Sequence, residues 1–235
     1  MIRFHPSSQQ ISEFVEGTLS PAVSLLVSAH SDMCPSCQKR IETETERLAD
    51  SILEDNTAAS SQPQGMDDAM SFDSMLSFIT QMPASNEGDI VVAKRSARKS
   101  VSIELDGRKF ELPRTLHRYT DNTGNWSSLV GKLWQAPVEV GNKGVANFIF
   151  MGQGGSVPEH THRGNEYTLV IDGEFCDGLN SYDTGDFIYM DGNHTHTPRA
   201  DKSEGCLVFS IVDQPLHFTS GLARLLNPFS HLFFK

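Results

Sequence analysis

His30, Cys34 and Cys37 stand as H-x3-C-x2-C, a spacing at which imidazole and thiolate donors can meet on one ion. Two thiolates and two imidazoles make a closed tetrahedral zinc site, and His5 is the candidate for the fourth donor. A single histidine near a chain start is more often an exposed residue than a ligand. Pro35 tolerates a first helical turn, so Cys34 is expected at a helix cap and Cys37 in that turn, where the helix dipole favours the thiolate. A redox C-x2-C would call for a surrounding βαβ pattern, and none surrounds this one. Farther on, His160-Thr161-His162 is followed after three residues by Glu166. Residues two apart on a strand face the same side, and Glu166 returns to that side across a turn.

Elements must bring these donors together. Ile11, Phe14, Val15, Leu19, Val23, Leu26 and Val27 recur at three- and four-residue spacing, broken by Gly17 and Pro21, which predicts two short helices. A third should start near Pro35 and run through the charged stretch to Leu53, with His30 supplied by the end of the helix before it. Asp55 to Asp68 has the composition of a flexible connection. Ser71 then caps a helix to Met82, with Phe72, Met75, Leu76, Ile79 and Met82 on one face. That helix could complete a small bundle or clasp a partner.

After a second linker, Pro83 to Asp89, and the basic cluster Lys94, Arg95, Arg98 and Lys99, the period changes to two. Val101, Ile103 and Leu105 alternate with polar residues, Asp106-Gly107 marks a tight hairpin, and short strands continue to about Val212. This predicts an all-β barrel or sandwich. The segment Leu112 to Tyr119, with Trp126 and Trp134, reads as barrel packing. Pro215 to Lys235 is apolar but broken by Gly221 and Pro228, and should pack on the barrel or on a dimer mate.

The chain carries a net charge of −11 over 235 residues. Residues 1 to 90 hold 4 Lys and Arg against 14 Asp and Glu, whereas residues 91 to 235 hold 15 against 16. An acidic first third repels a phosphate backbone and favours a basic protein partner, which argues against direct nucleic-acid binding. Met1 to Pro6 does not read as a secretory start, and no stretch reaches the roughly 18 apolar residues of a membrane span. A cytoplasmic protein without membrane attachment is expected. Of the remaining cysteines, Cys176 is a candidate oxidation reporter on a strand near the second site, and Cys206 receives no role.

The opening, His5-Pro6 through Ile11-Ser12-Glu13-Phe14-Val15-Glu16-Gly17 to His30 and Cys34-Pro35-Ser36-Cys37, resembles the zinc-binding anti-sigma domain of the ChrR-type anti-sigma factors. That resemblance implies that His5, His30, Cys34 and Cys37 hold one zinc, and that residues 1–85 occlude an extracytoplasmic-function sigma factor with help from the helix at Ser71 to Met82. Gly154, His160, His162, Glu166 and Gly173 match the first cupin motif at every spaced position. The second motif places Gly185 and His196 in register, while Asp191, Asn193 and Ala200 depart from it at the rim. The implied fold is α + β multidomain, a small zinc-binding helical bundle followed over residues 90–235 by a cupin (double-stranded β-helix) barrel.

In the barrel, the resemblance makes His160, His162, Glu166 and His196 a second metal set. Such a set suits zinc or another divalent transition metal such as iron, manganese, nickel or copper. His194 shares strand parity with His196 and competes with it, and a barrel that has lost its metal is the alternative to the whole assignment. The function implied is regulatory: an anti-sigma factor that releases its sigma factor when the cupin senses oxidative stress, singlet oxygen or an organic peroxide. A homodimer through the cupin domain is compatible with it. The rival is a metal-dependent cupin enzyme, a dioxygenase or isomerase, carrying a regulatory zinc domain.

Overall fold

The computed structural model describes residues 1–58, 72–81, 101–129, 132–140, 145–201, 204–221, 224–225 and 227–228. They form two compact units, Met1–Leu48 with Ser100–Lys235, and Ala49–Lys99. The expected linkers beyond residue 58, the Ser71 cap, the basic cluster and the last residues of the tail lie outside the described residues.

In the larger unit, α1 (Ser8–Val15) starts in a capping box: Ser7 Oγ accepts from Gln10 N while Gln10 Oε1 accepts from Ser7 N. The predicted break follows it. Ser20 then caps α2 (Pro21–Met33), whose Pro21 sits in the first turn. Cys34 ends α2, and α3 (Pro35–Ala58) starts at the next residue. This last helix runs past Leu53 into the stretch expected to be a linker.

The β region opens with the hairpin of β1 (Ser102–Leu105) and β2 (Arg108–Glu111). Its turn needs left-handed backbone at two successive residues, φ 53° at Asp106 and 74° at Gly107, as Asp-Gly turns do. A 3-10 helix (Arg114–Tyr119) follows, then β3 (Ser127–Leu129), β4 (Leu133–Val138) and β5 (Val145–Gly152). The remaining strands are β6 (His160–His162), β7 (Glu166–Asp172), β8 (Glu174–Cys176), β9 (Ser181–Asp183), β10 (Phe187–Met190), β11 (Thr195–His196), β12 (Gly205–Val212) and β13 (Leu216–Phe218). A six-stranded sheet runs β10-β7-β12-β5-β4-β3, and smaller sheets pair β11-β6-β13 and β8-β9. The start of the tail is therefore a strand on β6, with Phe218 opposite His160. Helices at the amino end followed by this several-sheet β region give the cupin-like arrangement implied by the motif spacing.

The centre of the six-stranded sheet is buried on both faces. One lines an internal cavity together with Val157, Phe175 and Phe218. The other packs Phe148, Phe150, Leu169 and Phe209 into a core that also holds Leu25, Leu26 and Ala29 of α2, with Phe110 and Leu116. Hence β12 is buried at all its positions and reads Gly-Cys-Leu-Val-Phe-Ser-Ile-Val without alternation. Polar ties fix α2 in place: Asp32 Oδ2 accepts from Thr115 N at 2.7 Å and Thr115 Oγ1 at 2.8 Å, and Ser28 Oγ meets Thr115 Oγ1 at 3.0 Å.

Ahead of α1, the chain lies along the β10 edge. Phe187 N donates to Phe4 O, and the fully buried Asp186 carboxylate accepts from Arg3 N, Phe4 N and Asp183 N. In the smaller unit, Ile52 and Leu53 of α3 are exposed, as are Leu76, Phe78 and Ile79 of α4 (Phe72–Gln81). Among the described residues no helix is long and apolar enough to cross a membrane.

Asp186 is thus the polar anchor of the amino terminus. Asp186→Ala strands three N–H groups and should cost about 2 kcal/mol or more in a urea titration. Amide exchange should accelerate at Arg3 and Phe4 but not in β12; unchanged exchange at Arg3 and Phe4 would place the anchor elsewhere.

Candidate metal centres

The turn between α2 and α3 brings the first donor set together. His30 lies in the last turn of α2, Cys34 caps it, and Cys37 falls in the first turn of α3. His5 comes from the extended segment before α1. Its Nδ1 is 3.4 Å from His30 Nε2, 3.5 Å from Cys34 Sγ and 3.4 Å from Cys37 Sγ. All four donor atoms lie within 4.8 Å of one another. A tetrahedron with bonds of about 2.0–2.3 Å has edges of about 3.3–3.8 Å, so the set fits a zinc-type ion.

The other ring nitrogen of His30, Nδ1, is 2.8 Å from Gly185 O. Donation to that carbonyl fixes the tautomer that leaves the Nε2 lone pair facing the cluster. Gly185 must be glycine here, because φ is +92° and a Cβ would lie 2.5 Å from Ile2 Cδ1. Burial, against the Gly185 bond, lowers the His30 pKa to about 4, so the ring is neutral as a ligand must be. Burial and the neighbouring Cys34 push the Cys37 thiol up to about 11. A bound divalent cation reverses that preference, since it stabilises the thiolate directly.

The second set forms on the smaller sheet and the adjoining end of β7. His160 and His162 share one face of β6, His196 pairs across from β11, and Glu166 opens β7. His196, not His194, joins them; His194 is turned to the surface and bonded to Asp191. His196 Nε2 lies 3.0 Å from both His160 Nε2 and His162 Nε2, and Glu166 Oε2 lies 3.0 Å from His162 Nε2 and 3.7 Å from His196 Nε2. His160 Nδ1 is 2.8 Å from Pro158 O, so its Nε2 presents a lone pair to the cluster. Converging imidazole nitrogens and a carboxylate at these distances could hold a cation between them, and the donors suit a transition metal. Donors 3.0 Å apart subtend nearly a right angle at an ion about 2.1 Å from each, a geometry with further coordination positions.

Electrostatics agrees with the donor geometry. Burial would raise the Glu166 carboxyl pKa, but the His162 hydrogen bond and the surrounding imidazoles outweigh it and hold the group well below the usual range. Ser210 Oγ and Thr168 Oγ1 also donate to Glu166 Oε1, at 2.9 and 3.1 Å. Burial and neighbouring His196 lower His160 to about 4.

Sequence reasoning missed Asp177. Its buried Oδ2 faces His196 Nδ1 at 3.7 Å, just beyond hydrogen-bond reach, and that nitrogen has no other partner. Tyr182 Oη donates to Asp177 Oδ2, while Leu179 N and Asn180 N hold Oδ1. In sequence Asp177-Gly178 looks only like a turn. Cys176 beside it is exposed and outside the cavity lining, and Cys206 is fully buried, which raises its thiol pKa.

Purified full-length chain should carry two equivalents of transition metal by elemental analysis. Replacing Cys34 and Cys37 with Ala should remove one equivalent, His160→Ala with Glu166→Gln the other, and all four changes together both; one equivalent left in the combined variant would mean that the two sets of changes act on the same site. Asp177→Ala should weaken metal binding in the barrel about 10–100-fold in chelator competition, with Asp177→Asn intermediate and the cysteine site unchanged.

Comparison with known proteins places these centres in context. The family model described as the ChrR cupin-like domain matches residues 117–214. The anti-sigma-E factor ChrR of Cereibacter sphaeroides is 29% identical over 229 residues, covering 97% of this chain and 98% of that protein. The crystal structure of Rhodobacter sphaeroides SigE in complex with the anti-sigma ChrR aligns with a TM-score of 0.59 and 26% identity, over 91% of this chain and all of the matched one. By these matches the chain is similar to ChrR over nearly its whole length, with amino-terminal helices followed by a cupin-like β region.

Proposed function

We propose that this protein is an anti-sigma factor with two functional parts, a helical part over residues 1–85 that sequesters an extracytoplasmic-function sigma factor and a cupin part over residues 90–235 that controls release. The observation that carries the reading is the near full-length similarity to a ChrR that has been crystallised with its sigma factor. Exposed Leu76, Phe78 and Ile79 on α4 supply apolar anchors, and the acidity of the first third would complement a basic partner.

In this reading zinc ties His5, His30, Cys34 and Cys37, and zinc or another divalent transition metal sits among His160, His162, Glu166 and His196. The protein works in the cytoplasm, beside its sigma factor. Release begins when singlet oxygen or an organic peroxide alters the barrel site. The route outward is short: β10 and Gly185 belong to the barrel, and Gly185 O receives His30. A change in barrel packing therefore bears directly on the helices that carry zinc. Release requires that the two barrel states differ by a few kcal/mol in their support of the sigma complex.

The competing reading is a cupin enzyme, a dioxygenase or isomerase. What favours it is the enclosed cavity beside the His160 set, with coordination positions to spare.

The test is capture of the full-length protein from its own cells through a tag that does not bind metal, with mass spectrometry of what co-purifies. A sigma factor should be recovered, and changing Leu76, Phe78 and Ile79 to Ser should lose it with both metals retained. Treatment with a singlet-oxygen source should release it, and His160→Ala with Glu166→Gln should block release. Repeated absence of a sigma factor from metal-replete protein, with turnover of dioxygen or a small acid, would move the function to the enzyme class.

A further inference from the structure

The extended segment ahead of α1 does more than supply His5 to the first donor set. One residue earlier, Phe4 lays its ring on Tyr182 with centroids 4.8 Å apart, and Tyr182 in turn packs on Phe175 at 5.0 Å. Phe4 thereby joins the apolar cluster of the barrel that holds Phe175, Tyr182, Ile188 and Met190. Arg3 grips the same strand, its guanidinium donating to Ser181 O. The segment is fixed at Arg3 and Phe4 by Asp186, which accepts from both backbone N–H groups, and by Phe187 N, which donates to Phe4 O. Past Phe4, the exposed His5 ring meets His30, Cys34 and Cys37. With that donor set filled, the segment is tied on both sides of Phe4; with it empty, on one side only.

Tyr182 carries this contact inward. It is buried, and its Oη donates to Asp177 Oδ2 at 3.0 Å. The same carboxylate oxygen faces Nδ1 of His196, a barrel donor, at 3.7 Å, while Leu179 N and Asn180 N hold the other oxygen. Tyr182 is thus the hydroxyl that aims the oxygen facing His196. A group facing the outer nitrogen of a ligating histidine sets the orientation and basicity of that ring. A shift of Tyr182 therefore reaches the barrel donor set through Asp177.

We propose that Phe4 and Tyr182 are positioning residues that link the two donor sets, so that zinc among His5, His30, Cys34 and Cys37 raises the affinity of His160, His162, Glu166 and His196 for their metal. By linkage the barrel metal raises zinc affinity by the same factor. The inference rests on the reading that both sets hold a metal, and it stands whether or not the protein binds a sigma factor.

Cobalt(II) binding to the barrel site of the full-length protein, followed by visible absorption under chelator competition, tests this. The reference is the parent with zinc in the cysteine site. Cys34→Ala with Cys37→Ala, which empties that site, should weaken cobalt binding at least about fivefold. Phe4→Ala should weaken it comparably with zinc retained, and adding Phe4→Ala to the cysteine changes should cost less than about twofold more. Phe4→Leu, which keeps the bulk, should recover most of the affinity. Tyr182→Phe, which keeps the ring but loses the hydroxyl, should behave as Phe4→Ala does. Leu116→Ala, in the core beneath α2, separates plain loosening of the fold: it should lower the melting temperature and leave cobalt affinity unchanged. Unchanged barrel affinity in Phe4→Ala or in the cysteine variant overturns the proposal. So do losses that multiply when the two are combined, or an equal loss in Leu116→Ala. Fewer than two equivalents of metal in the parent overturns it together with the metal assignment, and elemental analysis tells that failure from two metals bound independently.

Discussion

Burial of the six-stranded sheet between two different layers is the constraint on which the rest of the structure depends. Inward, β4, β5, β7, β10 and β12 face the cavity and the His160 donor set. Outward, the same strands bury Phe148, Phe150, Leu169 and Phe209 against α2, Phe110 and Leu116. Two short helices and one turn have little core of their own, and a domain that small is marginal without outside support. Here α2 spends its apolar face on the sheet, so the helices that carry His30, Cys34 and Cys37 share a core with the barrel.

The two donor sets differ in how they are closed. Around His5, His30, Cys34 and Cys37, three donors come from the α2–α3 turn and His5 from the segment that Asp186 holds along β10, and the two thiolates make a set suited to a closed tetrahedron. Around His160, His162, Glu166 and His196, donors are nearly at right angles and the remaining directions open on an apolar cavity. The first arrangement suits an ion that holds helices together. The second suits an ion that meets something else, with Ser210 and Thr168 keeping Glu166 charged and aimed.

Much of this was legible in the sequence. Spacing alone gave H-x3-C-x2-C its helix-turn-helix, because Pro35 fixes where the new helix starts, and Asp106-Gly107 gave the first hairpin. Parity on a strand put His160 and His162 on one face. The choice between His194 and His196 needed three dimensions: in β11 only His196 pairs opposite His160, and His194 is drawn off by Asp191. The contact of α2 with the sheet left a trace that periodicity does not decode. Leu207 to Val212 lacks alternation, which marks a strand covered on both sides without naming what covers it. Asp177 left no trace, because a carboxylate in a turn has many uses and the ring it faces, His196, lies 19 residues away.

The bond between His30 Nδ1 and Gly185 O is a contact that ties the cysteine donor set to the sheet carrying the other. Gly185 sits in the β9–β10 turn with a backbone conformation that only glycine holds easily, and Ile2 fills the space a side chain would take. Phe187, two residues on, opens β10, and β10 pairs with β7, the strand that begins at Glu166. A covalent and hydrogen-bonded path runs from Glu166 of the barrel donor set through β7, β10 and Gly185 to His30. Every step is a short, directional contact within one compact unit. The two donor sets thus stand near opposite ends of β10, with Glu166 opposite Met190 and Gly185 two residues before Phe187.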